Sequence, residues 1–570
     1  MKPFPNIPLV AAAAATTAAA ALLIAPATPA GAATTCTVDA SSTWSTGYVL
    51  NVDVKNSGPE AISGWSVELA FAESPGVTGS WSAAVSTSGN VVTAKNTTYN
   101  GALAAGQTVS FGLQGTHDGT FSAPTCAVPG GPATPGPTAP SSPSTTPAPT
   151  PTTSPAVPGS PDITVDTGTK YQTIDGFGAA TPIWGDANGQ WTTAETQTLV
   201  GTGPGQLGLS IVRTGVSPVS GEWSYAVNCL KTAKTYGSDV KILASPWTAP
   251  ANFKTNNSRT NGGKLRTDYY DDYANHLNSF VQYMKGKGIA IDVTSVQNEP
   301  DWHPNYDSMD WTGQELATFV REQGAKVKDT KLMVAESMDF NRSYSDPTLR
   351  DSTARANIGY VGGHLYDAEN RGNLSAYPLA AQYGKNQWMT EWNLHAADGN
   401  GSSIWGDPSN SAAWKETLDD IMRTVHKSME ANWSAYVWWY GRRFYSFIGD
   451  GEYQYGTTKG AVLKRGHAFS QFSKYVRPGY QRVRLTKSSE ASGLEVTAYQ
   501  GDGKIALVVL NRSNSAVNDA VVQVPQAISK AEYHVTSQTQ SSASRSAAVN
   551  GDQVTVSVGA RSISTVVITL

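Results

Sequence analysis

Glu299 closes the run Val293-Thr-Ser-Val-Gln-Asn-Glu299-Pro300, and Glu391 closes the run Gln387-Trp-Met-Thr-Glu391-Trp392. A short apolar, β-branched run ending on a carboxylate reads as a strand that delivers an acid to its C-terminal end. Two such acids about 5–5.5 Å apart could divide the work of nucleophile and acid/base at one glycosidic bond with retention of configuration, whereas a pair about 6.5–9.5 Å apart would leave room for a water. Taken alone, each glutamate is equally a strand end facing solvent; the pair is the stronger signal. Asn298 is suited to bond a sugar 2-hydroxyl, a contact that strengthens as oxocarbenium character develops. Arg213, His364 and Tyr366, at the ends of further apolar runs, are candidate neighbours that keep Glu391 ionised, although an Arg or His there is equally a structural residue. Trp247, Trp302 and Trp392 are candidate platforms for pyranose rings.

Residues this far apart in sequence need a scaffold that gathers strand ends. Eight runs qualify as strands, at 174–179, 209–214, 240–245, 292–297, 332–336, 358–364, 387–391 and 435–439. Amphipathic helices such as 269–285, 313–328 and 411–431 alternate with them. Repeated βα units of this kind close into a (β/α)8 barrel whose reactive groups gather at the strand C-termini. The catalytic barrel is placed at 161–480. Beyond it, 481–570 alternates like antiparallel strands and predicts a side β-sandwich, with the strand at 163–171 pairing into it.

Upstream, residues 129–160 are almost all Pro, Thr, Ser, Gly and Ala, an extended spacer. Residues 34–128 carry alternating Val, Thr and Ser runs between Gly and Pro turns and predict a small β-sandwich. Residues 1–33, with Lys2, an apolar Ala-rich stretch and small residues at Ala27, Ala30 and Ala33, read as a cleaved secretory signal, which places the protein outside the cell. Export permits disulfides, and Cys36 and Cys126 bracket the first sandwich as one bridge, leaving Cys229 as a small core residue.

A net charge of −4 with only 15% charged residues gives no basic field for nucleic acid. No later segment reaches membrane-spanning length. Neither a metal-ligand cluster nor a phosphate-cradling loop occurs at a convincing position, so no metal or cofactor is expected, and the chain reads as a monomer. The 16 Trp and 24 Tyr suit sugar stacking, though core filling accounts for most of them.

The order Ile174-Asp-Gly-Phe-Gly-Ala179, Ser245-Pro-Trp-Thr-Ala-Pro250, Gln297-Asn-Glu-Pro300, Thr390-Glu-Trp392, Tyr436-Val-Trp-Trp-Tyr-Gly-Arg-Arg-Phe-Tyr445 and Lys474-Tyr-Val-Arg-Pro-Gly-Tyr480 closely resembles glycoside hydrolase family 30, and within it the glucuronoxylanases of subfamily 8. That resemblance covers the chain from the spacer to the C-terminus. It implies a barrel fused to a side sandwich, Glu299 as acid/base, Glu391 as nucleophile, and endo-cleavage of β-1,4-xylan at sites set by an α-1,2-linked glucuronic acid. The family's Trp-x-x-x-Arg-x-Tyr arrangement falls on Trp439, Arg443 and Tyr445, which makes Arg443 the uronate clamp in preference to Arg442; an arginine fork matches a carboxylate bidentately. An Arg bridging to Asp450 or Glu452 is the structural alternative. The loop departs from the family's Arg-Arg-Ser-Tyr-Gly-Pro by reading Arg442-Arg-Phe-Tyr-Ser-Phe447, which bears on how strictly the branch is required. Other retaining β-glycosidases (a β-1,6-glucanase, an exo-xylosidase, a β-glucosidase) and a non-catalytic glycan-binding protein are the competing readings.

The first sandwich has its own resemblance, to carbohydrate-binding module family 2, carried by Thr43-Trp-Ser-Thr-Gly47, Ile62-Ser-Gly-Trp-Ser-Val67, Ser80-Trp-Ser-Ala83, Tyr99-Asn-Gly101 and Phe111-Gly-Leu-Gln-Gly115 between the two cysteines. It implies that Trp65 lies in the core while Trp44, Trp81 and Tyr99 form an exposed aromatic line for cellulose or xylan.

Overall fold

The computed structural model describes residues 34–44, 47–97, 100–117, 121–128, 160–185, 189–396 and 403–570. The signal at 1–33 and all but the last residue of the spacer lie outside them. The described residues fall into two compact units, one on either side of residue 151.

The first unit has two four-stranded sheets. One runs in the order Thr34–Trp44, Gly47–Asn56, Thr108–Thr116, Val77–Trp81, and the other in the order Ala84–Ser88, Val91–Lys95, Ser66–Ala70, Thr125–Ala127. Strict alternation in Gly47–Asn56 turns Tyr48, Leu50, Val52 and Val54 to the interior, as the period of two in a strand requires. Trp65 is buried there, stacked on Phe111 at 5.4 Å, and its indole N–H donates to the Asn100 carbonyl at 2.8 Å. The Cys36–Cys126 disulfide closes a span of 90 residues, a loop long enough for the bridge to contribute about 4–5 kcal/mol through the unfolded chain.

In the second unit eight parallel strands form a closed barrel. They are β1 Gly176–Ala180, β2 Ile211–Gly215, β3 Lys241–Ser245, β4 Val293–Ser295, β5 Lys331–Ser337, β6 Ile358–His364, β7 Asn386–Glu391 and β8 Ala435–Trp438. Strands covered on both faces need apolar side chains on both, which is why they read as continuous runs. Ile211, Leu243, Val293, Met333, Trp388, Ala435 and Val437 fill the barrel interior. A larger cluster lies under the helices, where Tyr270–Gly286 contributes Tyr273, Leu277, Phe280, Val281 and Met284. Gly313–Gln323 starts on a capping box between Thr312 and Glu315 and tightens into a 3-10 turn at Gly324–Lys326. The single helix expected over 411–431 is instead Ser411–Glu416, a π-helical turn Thr417–Met422, and Arg423–Glu430.

A ten-stranded sheet wraps around a separate apolar core and forms the side sandwich. Strand Ile163–Thr173 belongs to it, antiparallel to Gln481–Lys487 and parallel to Val517–Gln523. Strand Lys530–Ser537 keeps the alternation expected of this segment, with Ala531, Tyr533 and Val535 between Lys530, Glu532 and His534. Arg561 fastens sandwich to barrel by bonding both oxygens of Asp419 at 2.7 and 2.8 Å. Cys229 is buried, and burial pushes its thiol up to about 12. Among the described residues, no helix is long and apolar enough to cross a membrane.

Candidate active site

Beyond β4 the chain continues as Val296-Gln-Asn298-Glu299, held by the Val296 N–H to the Met333 carbonyl at 3.1 Å and the Glu299 N–H to the Glu336 carbonyl at 3.0 Å. Glu299 and Glu336 both have left-handed backbone, φ +45° and +49°. For a glutamate this conformation costs about 1–3 kcal/mol and persists where the surroundings enforce it. It aims both side chains over the barrel mouth, where Glu391 arrives from the end of β7.

One oxygen of Glu299, one nitrogen of His364 and one oxygen of Glu391 all lie within 4.8 Å of one another. His364 Nδ1 is 3.0 Å from Glu299 Oε1, and its Nε2 is 3.9 Å from Glu336 and 4.0 Å from Glu391. Arg213, fully buried, is the hub: Nη1 donates to Glu391 Oε2 at 2.6 Å, Nη2 donates to Asn298 Oδ1 at 2.6 Å and lies 3.1 Å from Glu336, and Nε donates to Ser245 Oγ at 3.2 Å. Tyr366 donates to the second oxygen of Glu391 at 3.1 Å and accepts from Asn393 Nδ2 at 2.7 Å. Since Arg213 takes the amide oxygen of Asn298, the Asn298 amino group is left to donate elsewhere.

The electrostatics follow from this packing. Burial opposes charge at Glu336, yet Arg213 and His364 outweigh it and hold the carboxyl at about 2. Burial also opposes the His364 imidazolium, but Glu391, Glu299 and Glu336 outweigh that and raise it to about 9. At Glu391 burial dominates over His364 and Arg213, and its proton affinity is raised. The same trio of donor atoms, Glu299, His364 and Glu391, is what a metal ion would need; with Arg213 on one carboxylate and a largely protonated His364 on the other, these groups suit proton transfer better than a second cation.

Aromatic walls surround the carboxylates. A cleft of about 550 Å³ is lined by Trp184, Trp247, Trp302, Tyr306, Met338, Tyr366, Asn393 and Trp439 together with Glu299 and Glu391. Trp184, Trp247 and Trp439 meet with ring centroids 5.6–6.2 Å apart, and the Arg213 guanidinium lies 4.8 Å over the Trp247 ring. Of the expected platforms, Trp247 and Trp302 line this cleft, as does Trp439. Trp392 does not: its ring meets Trp438 edge-on at 5.8 Å, against the core.

The loop after β8 also differs from expectation. Arg443 does not line the cleft; its Nη1 lies 3.0 Å from Glu452 and 3.8 Å from Asp450, the bridging arrangement held open as the alternative. Tyr445 is buried and stacks on His395 at 4.7 Å, away from the cleft surface. Phe444, where the family pattern has Ser, stacks face to face on Tyr455 at 3.5 Å and meets Tyr445 edge-on at 4.9 Å. Arg442 is structural, in a buried ion pair with Glu195 at 2.6 Å.

Sequence reading missed Glu336, Trp184, Tyr306, Met338 and Asn393. Glu336 was within reach, because it ends the expected fifth strand just as Glu391 ends the seventh. The Trp184 and Tyr306 loops carry no periodic pattern. In the first unit, Tyr99 and the side chains of Trp44 and Trp81 lie outside the described residues.

Flat apolar rings around a buried pair of acids match the alternating C–H faces and hydroxyl edges of a sugar chain, and on a (β/α)8 barrel they define a glycoside hydrolase. Three family models match: Cellulose binding domain over residues 34–133, Glycosyl hydrolase family 30 TIM-barrel domain over 217–377, and Glycosyl hydrolase family 30 beta sandwich domain over 479–566. Glucuronoxylanase XynC of Bacillus subtilis (strain 168) is 34% identical over 417 residues, spanning 71% of this chain and 92% of that protein. The chain belongs to glycosyl hydrolase family 30. Among solved structures, a family 30 subfamily 8 xylanase from Clostridium acetobutylicum superposes with a TM-score of 0.62 at 30% identity, covering 72% of this chain and 100% of that one. The N-terminal unit is similar to part of Exoglucanase A of Cellulomonas fimi, 52% identical over 91 residues, which are 16% of this chain and 10% of that protein.

Proposed function

We propose that the protein is a secreted endo-β-1,4-xylanase that cleaves glucuronoxylan with retention, tethered to cell-wall polysaccharide through its N-terminal unit. The observation that carries this reading is the pair of buried carboxylates, Glu299 and Glu391, with an oxygen of one within 4.8 Å of an oxygen of the other, the close spacing that double displacement uses. The similarity to a glucuronoxylanase over 92% of its length supports the substrate class. The disulfide and the leader-like residues 1–33 support export.

In the proposed reaction Glu391 attacks the anomeric carbon while Glu299 protonates the departing oxygen. Both oxygens of Glu391 already accept hydrogen bonds, from Arg213 and Tyr366, which aim the carboxylate and offset part of the burial that opposes its charge. As Glu299 gives up its proton, the His364 Nδ1–H meets the charge left on Oε1. Asn298, oriented by Arg213, offers its amino group to the 2-hydroxyl. Once Glu391 is joined to the sugar, water attacks the anomeric carbon as Glu299 takes its proton, and the bond to Glu391 breaks to return its carboxylate, the second displacement. Glucuronoxylan carries a uronate on some residues, and Arg443 is the guanidinium proposed to meet it.

Proton NMR of the first products tests the stereochemistry: the β-anomer is expected to accumulate first, and initial formation of the α-anomer overturns the mechanism. Glu391→Gln should lower kcat on glucuronoxylan by at least about 10³-fold, measured by release of reducing sugar, and mass analysis of the products should show internal cleavage.

A further inference from the structure

We infer that Glu452 sets how strongly this enzyme depends on an acidic branch, by offering Arg443 a carboxylate of the protein's own. This rests on the xylanase reading above.

The two acids beside Arg443 are held differently. Asp450 belongs to the loop: its oxygens accept from the Phe444 N–H at 3.0 Å, the Glu452 N–H at 3.2 Å and the Thr457 hydroxyl at 3.1 Å, and its side chain is 11% exposed. Glu452 has a 37% exposed side chain, and beyond Arg443 its carboxylate takes, among the described residues, only a 3.4 Å contact from Gln454. Arg443 itself is 43% exposed. The pair therefore stands at the solvent edge, where an incoming carboxylate can reach it. It also stands within electrostatic range of the reacting centre: the Tyr440 and Tyr445 hydroxyls, raised chiefly by burial, feel the Arg443 cation and the Glu391 anion in opposite senses.

A uronate would gain charge-assisted hydrogen bonds from Arg443. To do so it must displace Glu452 from Nη1, or bind along the free edge of the guanidinium with a like charge beside it. Either route weakens selection for the branch. Because exposed ion pairs are weak, the loss amounts to a factor of up to about five and leaves the clamp usable. The enzyme thus accepts sparsely branched and unbranched xylan alongside glucuronoxylan.

The test is the ratio of kcat/KM on glucuronoxylan to kcat/KM on a linear xylan without uronate, measured on the full chain. Glu452→Gln is expected to raise that ratio by about two- to fivefold, with the linear-xylan rate unchanged and the thermal melt confirming the fold. Adding Arg443→Ala should cancel the gain. An unchanged or lower ratio in Glu452→Gln overturns the inference, as does a gain that survives loss of Arg443. A wild type that cuts neither polysaccharide overturns the xylanase reading itself, and this inference with it.

Discussion

Glu336 shows how much of the site lies one layer behind Glu299 and Glu391. It touches Arg213 at 3.1 Å and approaches His364 at 3.9 Å, so its charge holds the cation that grips Glu391 and the imidazolium that faces Glu299. Glu336→Gln keeps the shape and removes the charge. The alkaline limb of the kcat/KM profile should then shift to lower pH by about one unit or more, because an anion that favours the His364 proton is gone; an unmoved limb with reduced activity would mark Glu336 as merely structural. In the wild type, the acid limb should lie above the ordinary glutamate range, since burial raises Glu391 and its charged form is the one needed. Stability has two edges as well. His364, raised to about 9, contributes fully below its ordinary value and loses that contribution as pH rises through about 9, whereas Glu336, held at about 2, loses its contribution as pH falls below the ordinary carboxylate value. Thermal melts across pH check both. Glu299 and Glu391 were legible because each ends an apolar run; the orientation of Trp392, Arg443 and Tyr445 was not, because loop conformation depends on contacts such as Phe444 on Tyr455 that no spacing encodes.

Elements that obey a strong period were readable from sequence, and those governed by tertiary contacts were not. The eight barrel strands fall close to the expected runs because burial on both faces leaves little choice of residue. The π-helical turn at Thr417–Met422 escaped, since one extra residue per turn barely alters the apolar pattern over a 411–431 window. Local capping carries its own consequence. Thr312 accepts the Glu315 N–H at 3.2 Å and Glu315 accepts the Thr312 N–H at 2.7 Å, so Thr312→Ala should destabilise the enzyme by about 0.5–2 kcal/mol. A lower Tm with unchanged kcat on soluble xylan is the expected outcome.

At the scale of the whole chain, binding and cutting are carried by separate compact units. Removal of residues 34–128 should leave kcat/KM on soluble xylan unchanged while lowering the rate on xylan embedded in insoluble cellulose, a comparison that a pull-down on cellulose would complement. The segment just beyond the spacer is not a loose lead-in: Ile163–Thr173 is an interior strand of the side sheet, paired along its length with Gln481–Lys487 and at Ile163 and Thr164 with Val517–Gln523. When an enzyme held to a solid surface is dragged by flow, the load enters the catalytic unit through that strand. The leash is therefore rooted inside the sheet, in a strand that must part from two neighbours before it can leave.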